Sequence, residues 1–125
     1  MAMDRKDKKS RSYQDLEVWK SSIELVKVIY EATKGFTSSE VYGLTNQLRK
    51  AAVSIPSNIA EGQGRISSKE FGQFLSISIG SLAEVETQLI LAREIDYLAQ
   101  EKLTPLLIKI DHIRKMAKAL LKSIK

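Results

Sequence analysis

Apolar residues recur along this chain at steps of three and four, the repeat of a single helix face. Leu16, Trp19, Ile23, Val26 and Tyr30 follow that spacing and predict a first helix over about 15–34. Lys34-Gly35 ends it, and Gly35 suits the left-handed residue that follows a helix. A second stripe, Val41, Leu44, Leu48, Ala52, Ile55 and Ile59, predicts a helix over about 39–61. Ser38 or Ser39 is its expected cap, with Glu40 adding negative charge to the first turn. Pro56 lies inside this stripe. The stripe continues through it, so the proline predicts a kink and not an end. Gly62-Gln63-Gly64 closes the segment.

The third predicted helix covers about 67–96, capped by Ser67 or Ser68, with Glu70 placed for a capping box. Its main stripe is Phe71, Phe74, Leu75, Ser78, Leu82, Val85, Leu89 and Ala92. Ile77, Ile79, Ile90, Leu91 and Ile95 fall off that face, so this helix must be covered on more than one side. These five residues are the expected oligomer interface. Gly72, Ser76, Gly80, Ala83 and Thr87 form a further row of small side chains. The fourth helix is expected over about 101–124, with Thr104-Pro105 as an alternative start. Its stripe is Leu106, Ile110, Ile113, Ala117, Leu120 and Ile124. No segment alternates with period two for long enough to predict a strand. The expected fold is all-α, an antiparallel up-down four-helix bundle.

Composition narrows the chemistry. The 125 residues suffice for one domain and one core. There is no cysteine, which removes disulfides, thiolate metal sites and thiol catalysis. The one histidine, His112, has no glutamate three or four residues before it, so the di-iron pattern of helical bundles is absent. No nucleophile–base–acid order stands out, and neither a metal nor a cofactor is expected. No apolar run reaches the roughly 18 residues that a membrane span needs. The charged start, Met1 to Ser12, lacks the apolar core of a secretory leader. A cytoplasmic, non-enzymatic protein is the expectation.

Charge is placed unevenly. Residues 1–12 carry five basic side chains against two acidic ones, a net +3. Residues 13–97 carry eight against eleven, a net −3, and residues 98–125 carry seven against two, a net +5. The positive field therefore comes from the two ends, a pattern that suits a polyanion partner. Arg5, Lys6, Lys8, Lys9 and Arg11 form a basic arm, and Arg114, Lys115, Lys118, Lys122 and Lys125 form a ridge on the fourth helix. With no aromatic residues for base stacking, such a ridge would read phosphate and shape. Gly62-Gln63-Gly64-Arg65 before a helix could hold an anion, but a plain turn needs the same glycines. On the second helix, Ser54, Asn58 and Glu61 lie at the edge of the core just around Pro56 and are expected to form a polar clasp with the third helix.

The run Gln47–Gly62, with Arg49-Lys50-Ala51-Ala52, Ser54-Ile55-Pro56-Ser57-Asn58 and Ala60-Glu61-Gly62, resembles the signature of the bacterial "four helix bundle protein" family. Its members are also called 23S rRNA intervening-sequence proteins. Leu16-Glu17-Val18-Trp19, Tyr42-Gly43-Leu44 and the run Phe74–Glu84 are similar to other pieces of that family, so the likeness covers about residues 13–124. The resemblance implies an antiparallel bundle assembled as a ring-like homopentamer, encoded in some relatives within 23S rRNA genes. A more distant relative, the accessory variability protein of diversity-generating retroelements, is a basic pentamer that works with a reverse transcriptase and RNA. The resemblance carries no catalytic residues. The basic arm and the basic fourth helix depart from more acidic relatives and favour RNA or other nucleic acid as partner. The competing expectation is a protein–protein scaffold that does not touch nucleic acid. A small-ligand-binding or enzymatic bundle is the third.

Overall fold

A computed structural model describes residues 12–40 and 43–124. Four α-helices follow one another: α1 (Glu17–Thr33), α2 (Leu44–Gln63), α3 (Ser68–Glu94) and α4 (Gln100–Ser123). Each packs against its neighbours in the order α1–α2–α3–α4–α1, and α2–α3 is the most extensive seam. Short connections make successive helices antiparallel.

The helical repeats bury one shared core. Leu25, Ile29, Leu48, Ile55, Ile59, Leu75, Leu82, Leu89, Ile110 and Ile113 are wholly excluded from solvent. Each such side chain contributes roughly 1.5–3 kcal/mol of transfer free energy. Ile23, Val26 and Tyr30, placed on the predicted stripe of α1, lie at its rim, while Val18, Ser22, Leu25 and Ile29 occupy its centre.

The helix ends show how local chemistry yields to tertiary contacts. Ser67 caps α3 as expected, its hydroxyl accepting from the Glu70 amide at 3.1 Å. The second helix starts later than 39. Ser38–Glu40 forms a short 3₁₀ turn, and the Glu40 carboxylate accepts from the Leu44 amide at 2.9 Å. The cap is therefore a glutamate one turn ahead, not a serine. Gly35 is not left-handed; among the described residues only Asp96 has a positive φ, 65°, after α3. A short polar side chain tolerates that region. α2 runs unbroken through Pro56, and α4 runs through Pro105 without restarting.

Gly62 lies inside α2, not in the turn. A Cβ there would come within 2.7 Å of the Phe74 Cβ and 2.9 Å of the Phe71 Cδ1. The glycine lets the start of α3 cross close to the end of α2. The expected absence of a membrane-length apolar run does not hold for α3. An 18-residue window of this helix reaches a mean hydropathy of 1.3, long and apolar enough to cross a membrane by length and composition. The physical reason is its position in the α2–α3–α4 layer: 39% of the window is buried inside the bundle, and further apolar residues lie on the outer face.

Candidate nucleic-acid interface and outer apolar face

Up-down topology brings the start of α1, the α2–α3 connection and the end of α4 to one end of the bundle. Arg65, Lys69, Lys118 and Lys122 therefore share that end, although they are far apart in sequence. Arg5, Lys6, Lys8, Lys9, Arg11 and Lys125 lie outside the described residues, as do Val41 and Tyr42.

The cations at this end differ in how they are held. Arg65 pairs with Glu61 at 2.7 Å, and its guanidinium sits 4.9 Å from the Phe74 ring centre. Lys69, Lys118 and Lys122 are exposed and make no ion pair among the described residues. From His112 to Lys122 no acidic side chain intervenes. By contrast, the lysines of α1 and of the residue that ends it are matched one for one: Lys20 with Glu17, Lys27 with Glu24 and Lys34 with Glu31. Lys115 is exposed but pairs with Asp111 at 3.2 Å.

Arg114 does not belong to the open ridge. It is half-buried, bonds the Glu86 carboxylate of α3, and lies 3.6 Å from Asp111. Glu86 is 28 residues away in sequence, which is why local spacing alone placed Arg114 among free cations.

The polar clasp between α2 and α3 exists, with a different membership. The Ser54 and Ser81 hydroxyls are bonded to each other across the seam, and the buried Ser78 hydroxyl donates to the Ile55 carbonyl at 2.9 Å. Asn58 instead donates back to the Ser54 carbonyl of its own helix at 2.8 Å. Glu61 turns outward to Arg65 and reaches no residue of α3 by an ion pair. Ser78 could have been suspected from the sequence, because it is a hydroxyl set within the main apolar stripe of α3. Ser81 gave no such signal.

The outer face of α3 is apolar at several points. Ile77 is 51% exposed, Ile90 41%, Leu91 47% and Ile95 43%. Ile79 departs from this set: it is half-buried and packs against the core. Helical geometry places Ile77 and Leu91 on one side, and Ile90 on the other, of the exposed row Ser76, Gly80, Ala83 and Thr87. A Cβ on Gly80 would meet nothing within 4 Å. The face is thus a shallow trough with greasy banks.

Among the described residues no three His, Cys, Asp or Glu side chains are grouped to hold a metal ion. His112 is exposed on α4. Among the described residues, the buried Thr45 Oγ1 and Gln88 Oε1 lack a hydrogen-bond partner.

No curated protein sequence matches the chain. A crystal structure of a protein of unknown function, from the S23 ribosomal protein family of Bacteroides thetaiotaomicron, superposes with a TM-score of 0.78 at 23% identity. The likeness spans 84% of this chain and 98% of that one, and it establishes the shared bundle fold. The family model described as 23S rRNA-intervening sequence protein matches residues 14–119. With the match spanning nearly the whole bundle, the chain belongs to the 23S rRNA-intervening sequence protein family.

Proposed function

We propose that this protein is a non-enzymatic, self-associating four-helix bundle that binds RNA in the cytoplasm through the basic end of the bundle. The observation that carries the reading is the contrast between helices. Lys20, Lys27 and Lys34 each pair with a glutamate, whereas Lys69, Lys118 and Lys122 lie toward one end with no carboxylate partner among the described residues. Unmatched cations on a rigid end are what phosphates attract, and attraction of this kind depends on salt and hardly on sequence. Arg5, Lys6, Lys8, Lys9 and Arg11, which precede the described residues in the sequence, are further candidate phosphate contacts. The family's name, which ties its members to segments interrupting 23S rRNA, supports RNA as the polyanion.

Self-association is supported by the trough on α3. Exposed Ile77, Ile90 and Leu91 flank small residues that let another helix approach closely, and a patch of this kind favours a protein contact. A ring of five, the assembly that the family resemblance implies, would repeat the basic end five times and add weak contacts by multivalency.

The test is binding of a structured RNA as a function of salt. Each lost phosphate contact should lower the slope of log affinity against log salt by roughly 0.7–0.9. Lys118→Ala with Lys122→Ala should flatten the slope and weaken different RNAs alike, with the helical signal unchanged. Deletion of residues 1–12 should do the same. If both variants bind RNA as the parent does at every salt concentration, a protein–protein scaffold becomes the better reading.

A further inference from the structure

The outer side of α3 reads alike from both of its ends. Its middle falls between Gly80 and Ala83. Outward from there, Ser76 on one side answers Thr87 on the other at equal spacing, and Lys69 answers Glu94. Helical geometry puts these residues on one strip, turned away from the buried Leu75, Leu82 and Leu89. All of them are exposed.

The strip is low at its centre and carries opposite charge at its two ends. Neither Lys69 nor Glu94 makes an ion pair among the described residues. Ile77 and Leu91 stand on one margin and Ile90 on the other. The Ile90 margin is the one toward α4, where Glu86 bonds Arg114. Gly72 lies on the same margin: a Cβ there would come within 3.3 Å of the Leu121 Cδ1. Beside it opens a groove of about 540 Å³, walled by Leu121 and Ile124, with Lys69 and Ser76 on its lip. Glu84, a carboxylate near the middle, lies toward the Ile77 margin and accepts from Gln88 Nε2 at 3.4 Å.

We propose that α3 pairs antiparallel with α3 of a second copy, about a two-fold axis that passes between Gly80 and Ala83. The symmetry of the strip favours this orientation. Antiparallel pairing sets each Lys69 against the second copy's Glu94, Ser76 against Thr87, and Gly80 against Ala83 at the closest approach. A parallel pair would set Lys69 against Lys69 and Glu94 against Glu94, like charge on like. Antiparallel pairing also brings each Ile90 opposite the second copy's Gly72, so a large apolar side chain enters the groove that the missing side chain leaves beside Leu121. Such a contact uses one patch on both copies and closes at two. The proposal rests on the self-association reading and gives it a geometry; a ring of five would be built through other faces. Lys69 then serves the pair, and Lys118 and Lys122 carry the basic end.

The test is disulfide trapping in the full-length protein. The chain has no cysteine, so each introduced thiol is unique. Ser76→Cys and Thr87→Cys are prepared separately, then oxidised alone and as a mixture. A disulfide needs Cα atoms within about 7 Å. The mixture should give a covalent dimer holding one copy of each variant. Neither variant should give one alone, because the two Ser76 positions of an antiparallel pair lie roughly 16 Å apart along the helix axes. Charge exchange supplies the second measurement. Lys69→Glu or Glu94→Lys alone should weaken association about fivefold, and the two together in one chain should return it to within about twofold of the parent. A covalent dimer from Ser76→Cys alone overturns the proposal in favour of a parallel pair. Association seen by light scattering, with no disulfide in the mixture or no recovery in the double charge variant, overturns this pairing and leaves self-association standing. A monomer mass at about 100 μM overturns both.

Discussion

The Ser78 hydroxyl of α3 donates to the Ile55 carbonyl of α2 at 2.9 Å, one residue before Pro56, and both residues are wholly buried. Proline removes a backbone donor from the middle of α2, so the hydrogen-bond ladder is weakest near this point. The seam is stitched there by Ser78, and by the Ser54–Ser81 pair beside it. Ser78→Ala removes the cross-helix bond and is expected to destabilise the bundle by about 1 kcal/mol. Urea unfolding checks this: the midpoint should fall with the slope unchanged. An unchanged midpoint would mean that the bond contributes nothing net.

Two glycines should respond with opposite sign. At Gly62 an added Cβ meets the Phe74 Cβ at 2.7 Å and the Phe71 ring edge at 2.9 Å, and the Phe74 Cβ cannot give way without opening the α2–α3 crossing. Alanine raises helix propensity by about 1 kcal/mol, but overpacking of this kind costs about 1–3 kcal/mol. Gly62→Ala is therefore expected to be destabilising. At Gly80, in the interior of α3, nothing lies within 4 Å, so Gly80→Ala should stabilise an isolated bundle by about 0.5–1 kcal/mol. Parallel thermal scans of the two variants give the comparison.

The helices were legible because their stripes are regular: Leu44, Leu48, Ile55 and Ile59 of α2 alone specify a buried face. What stayed hidden depended on partners distant in the chain. Glu40 caps α2 in place of Ser38 or Ser39, and it is held by the Tyr97 hydroxyl at 3.1 Å, 57 residues away. Arg114 looks free beside Lys115 and Lys118 until folding brings Glu86 against it. Asn58 and Glu61 have the right period to face α3, yet each finds a nearer partner four residues along its own chain. Spacing identifies a face; it does not say which of several polar groups will win the bond.

The Glu31–Lys34 pair predicts a local pH response. Lys34 Nζ donates to the Glu31 carboxylate at 2.9 Å, and this hydrogen bond, followed by the lysine charge, holds the carboxyl below its ordinary range. A depressed folded value means that any stabilisation is present above the unfolded value and is lost as pH falls through the folded one. The pair is fully exposed, so the effect should show in titration and scarcely in global unfolding. In Lys34→Met, the Glu31 carboxyl followed by NMR should titrate at higher pH than in the parent. High salt should shift the parent the same way.

Arg114 and Lys118 lie one turn apart on α4 and should behave as different kinds of residue. Arg114 is half-buried and bonded to Glu86, so Arg114→Met leaves that carboxylate without its partner at the α3–α4 seam. Loss of a charge-assisted bond at a part-buried site is expected to cost about 1–2 kcal/mol. Lys118 is exposed, without an ion pair among the described residues, and Lys118→Ala should alter stability by no more than about 0.5 kcal/mol. RNA binding should reverse the order. Lys118→Ala should lower the salt slope by roughly 0.7–0.9, while Arg114→Met, whose charge is already matched, should leave it near the parent's value. Urea midpoints and salt titrations of the two single variants, done on the same preparations, test both halves. If Arg114→Met flattens the salt slope as much as Lys118→Ala does, the Glu86 pair opens when RNA binds and the ridge includes Arg114 after all.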